Sequence, residues 1–232
     1  MRAVLRQEKK FLLKYSEFIE HSAYLESVMI SDEHNGFFGY NVRSLYFDTL
    51  YDRDYEGKSD GLSLRRKIRL RVYSPTDKFA YLEIKQKEDK YQMKRSLKLT
   101  KEDALELINC NYDVLLKYDE EFAHECHAIM TTEKYYPKTV VEYNRKAYIA
   151  KENSIRITFD SHIVASETNF NIFDEHLALY PVFPLDNVVL EVKYNGFLLS
   201  YIKDLLDNVS KIELSVSKYC LARQISMMFV YT

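Results

Sequence analysis

In the stretch Leu64-Arg65-Arg66-Lys67-Ile68-Arg69-Leu70-Arg71-Val72-Tyr73, charged and apolar residues alternate from Lys67 to Val72. Successive side chains of a strand point to opposite faces. One face of this strand therefore carries Arg65, Lys67, Arg69 and Arg71, and the other carries Leu64, Arg66, Ile68, Leu70 and Val72. The pattern repeats outward along the chain. Glu83, Lys85 and Lys87 lie opposite Leu82 and Ile84; Arg156 and Asp160 lie opposite Ile155, Ile157 and Phe159. Glu191 and Lys193 lie opposite Val188, Leu190 and Val192, and Arg6, Glu8 and Lys10 share a face near the start. Each strand alone reads as the solvated face of an ordinary half-buried sheet. Together they read differently, because like charges on neighbouring strands repel and Arg and Lys recur here with few carboxylates among them. A sheet that curls makes one face its lining. A cationic lining is costly without counter-charge, which a bound polyanion supplies. Arg forks and Lys point charges both suit phosphate oxygens.

The surrounding elements are predicted from the same periodicities. Strands are expected over Val4 to Leu13, Asn41 to Asp48, Leu64 to Tyr73, Phe79 to Gln86 and Gln92 to Leu99, then near Thr139 to Ala150, Ser154 to Asp160 and Asn187 to Tyr194. Ser16 is placed as the cap of an amphipathic helix running to about Met29. Thr100 with Asp103 resembles a capping box opening a helix to about Ile108. A longer helix is expected from Tyr112 to about Thr131, and two more near Leu198 to Asn208 and Ser217 to Phe229. Hairpin-like runs of strands interrupted by helices give an α+β class on an antiparallel sheet. No repeat or Pro/Gly-rich linker breaks the 232 residues, so a single domain over 1–232 is expected.

Composition narrows the partners. Tyr 20 and Phe 13 against Gly 5 and Pro 4 suit aromatic-rich strands with few tight turns. A formal charge of −2 disfavours a globally basic nucleic-acid binder, so any basic site is local. Cys110, Cys126 and Cys220 are odd in number, widely spaced and without a CxxC, which makes a reducing cytoplasm the expected location. The start MRAVLRQEKKF is too charged for a signal peptide, and no apolar run reaches the roughly 18 residues of a membrane span. Any membrane attachment would then come through a membrane-protein partner.

Short motifs follow in order: Arg6-Gln7-Glu8-Lys9-Lys10, Leu45-Tyr46-Phe47-Asp48-Thr49, Ile68-Arg69-Leu70-Arg71 with Tyr73, Leu82-Glu83-Ile84-Lys85 and Lys94-Arg95. Glu142-Tyr143-Asn144-Arg145 with Ala147-Tyr148, Ile155-Arg156-Ile157-Thr158-Phe159-Asp160, Leu190-Glu191-Val192-Lys193 and Ser215 to Tyr219 complete the set. In this order and spacing the chain resembles the polyphosphate polymerase (VTC) domain, a branch of the triphosphate tunnel metalloenzyme, or CYTH, superfamily. The resemblance implies an eight-stranded antiparallel β-barrel tunnel open at both ends, with flanking helices. It implies a nucleoside triphosphate and a growing polyphosphate in that tunnel, with Mn²⁺ or Mg²⁺. Carried over by position, Lys10, Arg69, Arg71, Lys85, Arg145, Arg156 and Lys218 hold phosphates and carry the catalysis, with Lys94 beside them. Tyr46 lines the tunnel, Glu191 binds metal, and Glu8 is a second carboxylate.

Hydrolytic tunnel enzymes usually begin Glu-x-Glu-x-Lys, whereas this chain has Arg6 at the first of those positions. A missing carboxylate weakens metal-assisted activation of water and favours the polymerase, whose acceptor is phosphate itself. The implied function is transfer of the terminal phosphate of ATP to inorganic polyphosphate. The alternatives are a triphosphate or polyphosphate hydrolase, or a non-catalytic polyphosphate-binding module, against which Glu191 speaks. A nucleic-acid-binding sheet is remote. Other residues carry plainer readings. His124, Cys126 and His127 lack the further ligands of a zinc site. Tyr135 and Tyr136 read as wall packing. Glu83 reads as the partner of Lys85 or a neighbouring Arg. Arg65 and Lys67 are divided between ligand and solvent, and Lys193 between phosphate and Glu191.

Overall fold

The computed structural model describes residues 6–88, 91–207 and 217–229. In chain order these form β1 (Arg6–Lys14), α1 (Tyr15–Val28), β2 (Ile30–Ser31), β3 (Tyr40–Thr49), α2 (Arg53–Ser59), β4 (Leu64–Val72), β5 (Phe79–Glu88) and β6 (Tyr91–Thr100). Then come α3 (Lys101–Ile108), a 3-10 helix (Tyr112–Lys117), α4 (Glu121–Thr132), β7 (Tyr135–Ala150) and β8 (Ile155–Ser166). The last are β9 (Tyr180–Pro181), β10 (Asn187–Asn195), α5 (Ser200–Asp207) and α6 (Lys218–Phe229). The eight long strands are the eight expected from periodicity; β2, β9 and α2 are additions. No helix among the described residues is long and apolar enough to cross a membrane.

Backbone contacts divide the chain into two compact units. The first comprises Met1–Asn41, Tyr143–Ile163 and Phe183–Val216. Its strand order is β1-β10-β8-β7, with β2 on β7. β10 pairs antiparallel with β1, bringing Lys10 opposite Glu191 and Glu8 opposite Lys193. On its other edge β10 pairs antiparallel with β8, bringing Glu191 opposite Thr158 and Lys193 opposite Arg156. One face of these strands is apolar. Ile157, Phe159, Leu190 and Val192 are buried there with Phe18 and Leu25 of α1 and Ile202 of α5. The opposite face carries the charges.

The second unit comprises Val42–Glu142, Val164–Val182 and Ser217–Thr232, with strand order β7-β3-β4-β5-β6 and β9 on β8. Ile68, Leu70, Leu82, Ile84, Leu97 and Leu99 form its apolar face, which α3, the 3-10 helix and α4 cover. The helices thereby leave the cationic face of β4, β5 and β6 uncovered by this core.

Two local expectations are corrected. Helix α1 is capped by Lys14 rather than Ser16: the chain turns from β1 into α1 without a linker, and the Lys14 N–H donates to Glu17 Oε2 at 2.7 Å. The single helix expected from Tyr112 to Thr131 is two. It breaks where Tyr118 turns extended and its hydroxyl donates to Asp103 Oδ2 at 2.7 Å, while Val114 and Leu115 enter the core. Thr100 caps α3 as expected, accepting from the Asp103 N–H at 3.2 Å.

Helix α2 depends on a distant residue, so no local signal announced it. Its preceding residue, Asp52, is left-handed with φ 54° and makes no side-chain cap. Instead the buried carboxylate of Asp48, on β3, accepts from the Thr49 N–H at 2.7 Å, the Asp54 N–H at 2.9 Å and the Tyr55 N–H at 2.9 Å. Tyr219 of α6 donates its hydroxyl to the same carboxylate at 2.6 Å. Asp54 is itself buried and accepts from the Tyr135 hydroxyl at 2.8 Å. Burial first, then the Asp48 carboxylate, pushes the Asp54 carboxyl up to about 7. A carboxyl raised in the folded state holds its proton there and loses it more easily when unfolded. Its contribution is therefore complete below pH 4 and is lost as pH rises towards 7. We expect the urea midpoint of the wild-type protein to fall across that window relative to Asp54→Asn, whose midpoint lacks this slope; parallel profiles would refute the assignment.

Candidate functional site

The cationic face of the second unit is built by register. β4 pairs with β5 so that Arg65 faces Lys87, Lys67 faces Lys85, Arg69 faces Glu83 and Arg71 faces Tyr81. β5 pairs with β6 so that Lys87 faces Gln92, Lys85 faces Lys94, Glu83 faces Ser96 and Tyr81 faces Lys98. Lys67, Lys85 and Lys94 thus stand abreast across three strands. Over these rows of described residues there are eight cations and one carboxylate, Glu83. Directly opposed like charges repel, so this arrangement is unfavourable as a bare surface.

Glu83 organises its centre. Arg69 donates from Nε to Glu83 Oε2 at 2.7 Å, Arg71 Nη1 lies 3.8 Å from the same oxygen, and Lys94 pairs with Oε1. The expectation that Glu83 serves a neighbouring Arg is met, and the partner on β6 is Lys94. Burial alone would raise the Glu83 carboxyl, but Arg69, then Arg71 and Lys94, pull it down to about 2. Tyr46 is buried rather than open. Its hydroxyl accepts from Arg69 Nη1 at 3.1 Å, and the Tyr219 ring stacks on it at 5.2 Å. Tyr219 follows Lys218, and Ser217 caps α6 by accepting from the Cys220 N–H at 3.1 Å. Lys218 therefore joins Arg69, Arg71, Lys85, Lys94 and Tyr46 in this unit. Ser215 and Val216 of the same motif lie outside the described residues.

The first unit gathers Lys10, Arg145, Arg156, Glu191 and Glu8, and here the expectation of few carboxylates is corrected. Lys10 Nζ lies 2.7 Å from Glu8 Oε1, and Lys193 pairs with Glu191. Arg145 makes a two-pronged bond to Asp160, Nε to Oδ1 at 2.7 Å and Nη2 to Oδ2 at 2.8 Å. Arg156 Nη2 reaches Asp32 Oδ2 at 2.9 Å and the Tyr40 hydroxyl at 3.2 Å. Each cation has an acid beside it, so this face is near neutral where the other is strongly positive. Burial would lower the Lys10 ammonium, but Glu191 and Glu8 outweigh it and raise it. Burial likewise opposes the charge of Arg145, and Asp160 more than restores it. Among these groups Thr158 Oγ1, buried and directly opposite Glu191, makes no hydrogen bond.

Asp160, Asp32, Tyr40 and Thr158 were not singled out from sequence. Asp160 shares the face of Arg156, but its partnership with Arg145 needs the register of β7 against β8. The remaining residues have structural work. His124 bonds the Tyr118 carbonyl at 2.9 Å, His127 bonds Asp113 at 3.0 Å, and burial pushes the Cys126 thiol up to about 12. Among the described residues no group of three or more His, Cys, Asp or Glu can hold a metal ion unaided. Glu191 and Glu8 lie on one face, on adjacent strands. That donor set suits a hard divalent ion that takes one or two carboxylates and completes its shell from phosphate oxygens.

Two solved structures share the architecture. One, from Bacillus halodurans and provisionally named an adenylate cyclase, matches with TM-score 0.50 at 11% identity, covering 88% of this chain and 86% of that one. The other, from Hippeastrum, is provisionally named an adenylyl cyclase and described as having a dominant triphosphatase activity. It matches with TM-score 0.52 at 12% identity, covering 94% of this chain and 96% of that one. The chain thus has the α+β antiparallel fold of these two structures. The family is narrower: the VTC domain model matches residues 5–227, and the chain belongs to that family. No curated protein matches.

Glu83 stabilises the folded state above pH 4.5, and its contribution is lost as pH falls from 4.5 towards 2, because its folded carboxyl is depressed. Glu83→Gln should cost about 3 kcal/mol at neutral pH, as expected when one partner of a buried charge cluster is removed. It should also flatten the acid limb of the urea-midpoint profile; an unchanged acid limb would refute the role.

Proposed function

We propose that this protein is a polyphosphate polymerase that transfers the terminal phosphate of ATP to inorganic polyphosphate. The observation that carries the proposal is the row of Lys67, Lys85 and Lys94 flanked by Arg69 and Arg71, in a chain of the VTC family. Rows about 7 Å apart along a strand suit a linear chain of phosphates better than a single anion, because successive rows meet successive stretches of the chain rather than one group. In this reading Lys10, Arg69, Arg71, Lys85, Lys94, Arg145, Arg156 and Lys218 hold phosphate oxygens, all within one functional domain.

The acid partners serve the apo state. Glu83 and Asp160 fix the Arg side chains in advance, so that little order is lost when phosphate arrives. Thr158 supplies a hydroxyl donor beside Glu191. Mg²⁺ or Mn²⁺, held by Glu191 with Glu8 as second carboxylate, supplies charge neutralisation on phosphate oxygens when bound. In the transfer an anionic end oxygen of the polyphosphate bonds to the γ-phosphorus. The bond from that phosphorus to the β,γ-bridging oxygen breaks, and ADP leaves with the electron pair. The nucleophile is already ionised, so no side chain need remove a proton. Positioned cations stabilising the spread negative charge provide the acceleration.

The triphosphatase description of the Hippeastrum protein supports hydrolysis as a second reading on the same fold. Incubation with ATP and Mn²⁺, or with Mg²⁺, followed by size separation of products, divides the readings. A metal-dependent ladder of long phosphate chains, reduced at least about 100-fold by Glu191→Ala, is the expected result. Orthophosphate without chains would establish the hydrolase, and tight polyphosphate binding without turnover would leave a binding module.

A further inference from the structure

Residues Asp32 to Gly39 lead into β3 through a turn whose tip is two phenylalanines. Gly36 and Gly39 close it with reciprocal backbone bonds, Gly39 N–H to the Gly36 carbonyl at 3.0 Å and Gly36 N–H to the Gly39 carbonyl at 3.3 Å. Phe37 and Phe38 occupy the two positions between, 87% and 67% exposed. Turn tips ordinarily carry Gly, Asn, Asp or Ser, and two aromatic rings exposed to solvent gain nothing for the fold. The rings meet edge to face with centroids 4.8 Å apart at 89°, which leaves ring face open.

The turn is fixed, not a loose loop. Asn35 Nδ2 donates to the Ala147 carbonyl at 2.7 Å, and the Ala147 N–H donates back to Asn35 Oδ1 at 3.0 Å. Gly39, at φ +88°, lies so close to β7 that a Cβ there would sit 2.2 Å from the Arg145 carbonyl oxygen. Both ends of the segment also grip Arg156: Asp32 by its carboxylate at 2.9 Å and Tyr40, next after Gly39, by its hydroxyl at 3.2 Å. The exposed rings are therefore tied through short rigid links to Arg145 and Arg156, two of the cations assigned to phosphates.

Resting on that phosphate-binding reading, we propose that the Phe37–Phe38 tip is a nucleobase-stacking platform, taking the base of a nucleoside triphosphate whose phosphates lie on the Arg156 side. A nucleotide has this composition, a flat π-face joined by a short sugar to a polyanion. Stacking accepts every base, so affinity should follow ring area, purines over pyrimidines, without strict selection.

The test compares a ligand with a base against one without. Calorimetric titrations with the β,γ-imido analogue of ATP and with tripolyphosphate, both with Mg²⁺, would use the wild type, Phe37→Ala/Phe38→Ala, and Phe37→Tyr/Phe38→Tyr. The double alanine variant should bind the ATP analogue on the order of 10- to 100-fold more weakly, the range that loss of one stacked base gives. Its tripolyphosphate affinity should stay unchanged, and the tyrosine variant should keep both. Unchanged binding of both ligands by the alanine variant would overturn the platform, and flotation with phosphatidylcholine–phosphatidylserine vesicles would then ask whether the tip serves a membrane. Equal weakening of both would also overturn it, making the turn a support for Arg156. A wild-type protein that binds neither ligand would sink the phosphate reading and this one with it.

Discussion

Like charges held a few ångströms apart repel by about 1 kcal/mol in water and by several times that near a protein surface. Eight cations over three neighbouring strands would therefore splay or neutralise themselves if the backbone allowed it. What prevents this is the reverse face of the same strands, where Ile68, Leu70, Leu82, Ile84, Leu97 and Leu99 are sealed under α3, the 3-10 helix and α4. Strand geometry makes the two faces inseparable. Each buried Leu or Ile sets the direction of the Lys or Arg on either side of it, so apolar burial holds the repelling side chains in place. Glu83 relieves the middle of the array, where Arg69, Arg71 and Lys94 converge on it.

The first unit handles charge differently. Lys10, Lys193, Arg145 and Arg156 each have a carboxylate within reach, and Arg145 is gripped by Asp160 on two atoms. Burial makes such pairs costly to desolvate, and each partner offsets that cost for the other. The face of β4, β5 and β6 carries more cations than carboxylates, whereas in the first unit the two are matched and already paired.

Alternation along single strands was enough to place the eight long strands and, on five of them, the two faces. The charged residues of β4 and β5 were legible because a period of two needs no partner to be recognised. Information carried across the sheet was not legible. The Arg145–Asp160 clasp and the neutral balance of the first unit depend on register, and the lysine row across β4, β5 and β6 depends on two registers at once. Helix α2 escaped because its cap is Asp48, on the preceding strand. The break before α4 escaped because Tyr118 obeys Asp103 rather than its own neighbours. Phe37 and Phe38 belong to no periodic run; only their exposure on a pinned turn gives them meaning.

Tyr219 and Asp48 are 171 residues apart in sequence, yet one hydrogen bond and one stacked ring join α6 to β3 beside Arg69. Contacts of such separation form late, because a long loop must close before they return anything. During synthesis β3, β4 and β5 leave the ribosome long before residue 219 exists. Until it does, Tyr46 lacks its covering ring and the Asp48 carboxylate has only its backbone donors from Thr49, Asp54 and Tyr55. The nascent protein therefore passes through an interval in which its cationic strands are made but their neighbourhood is unfinished, and cellular polyanions could engage them early.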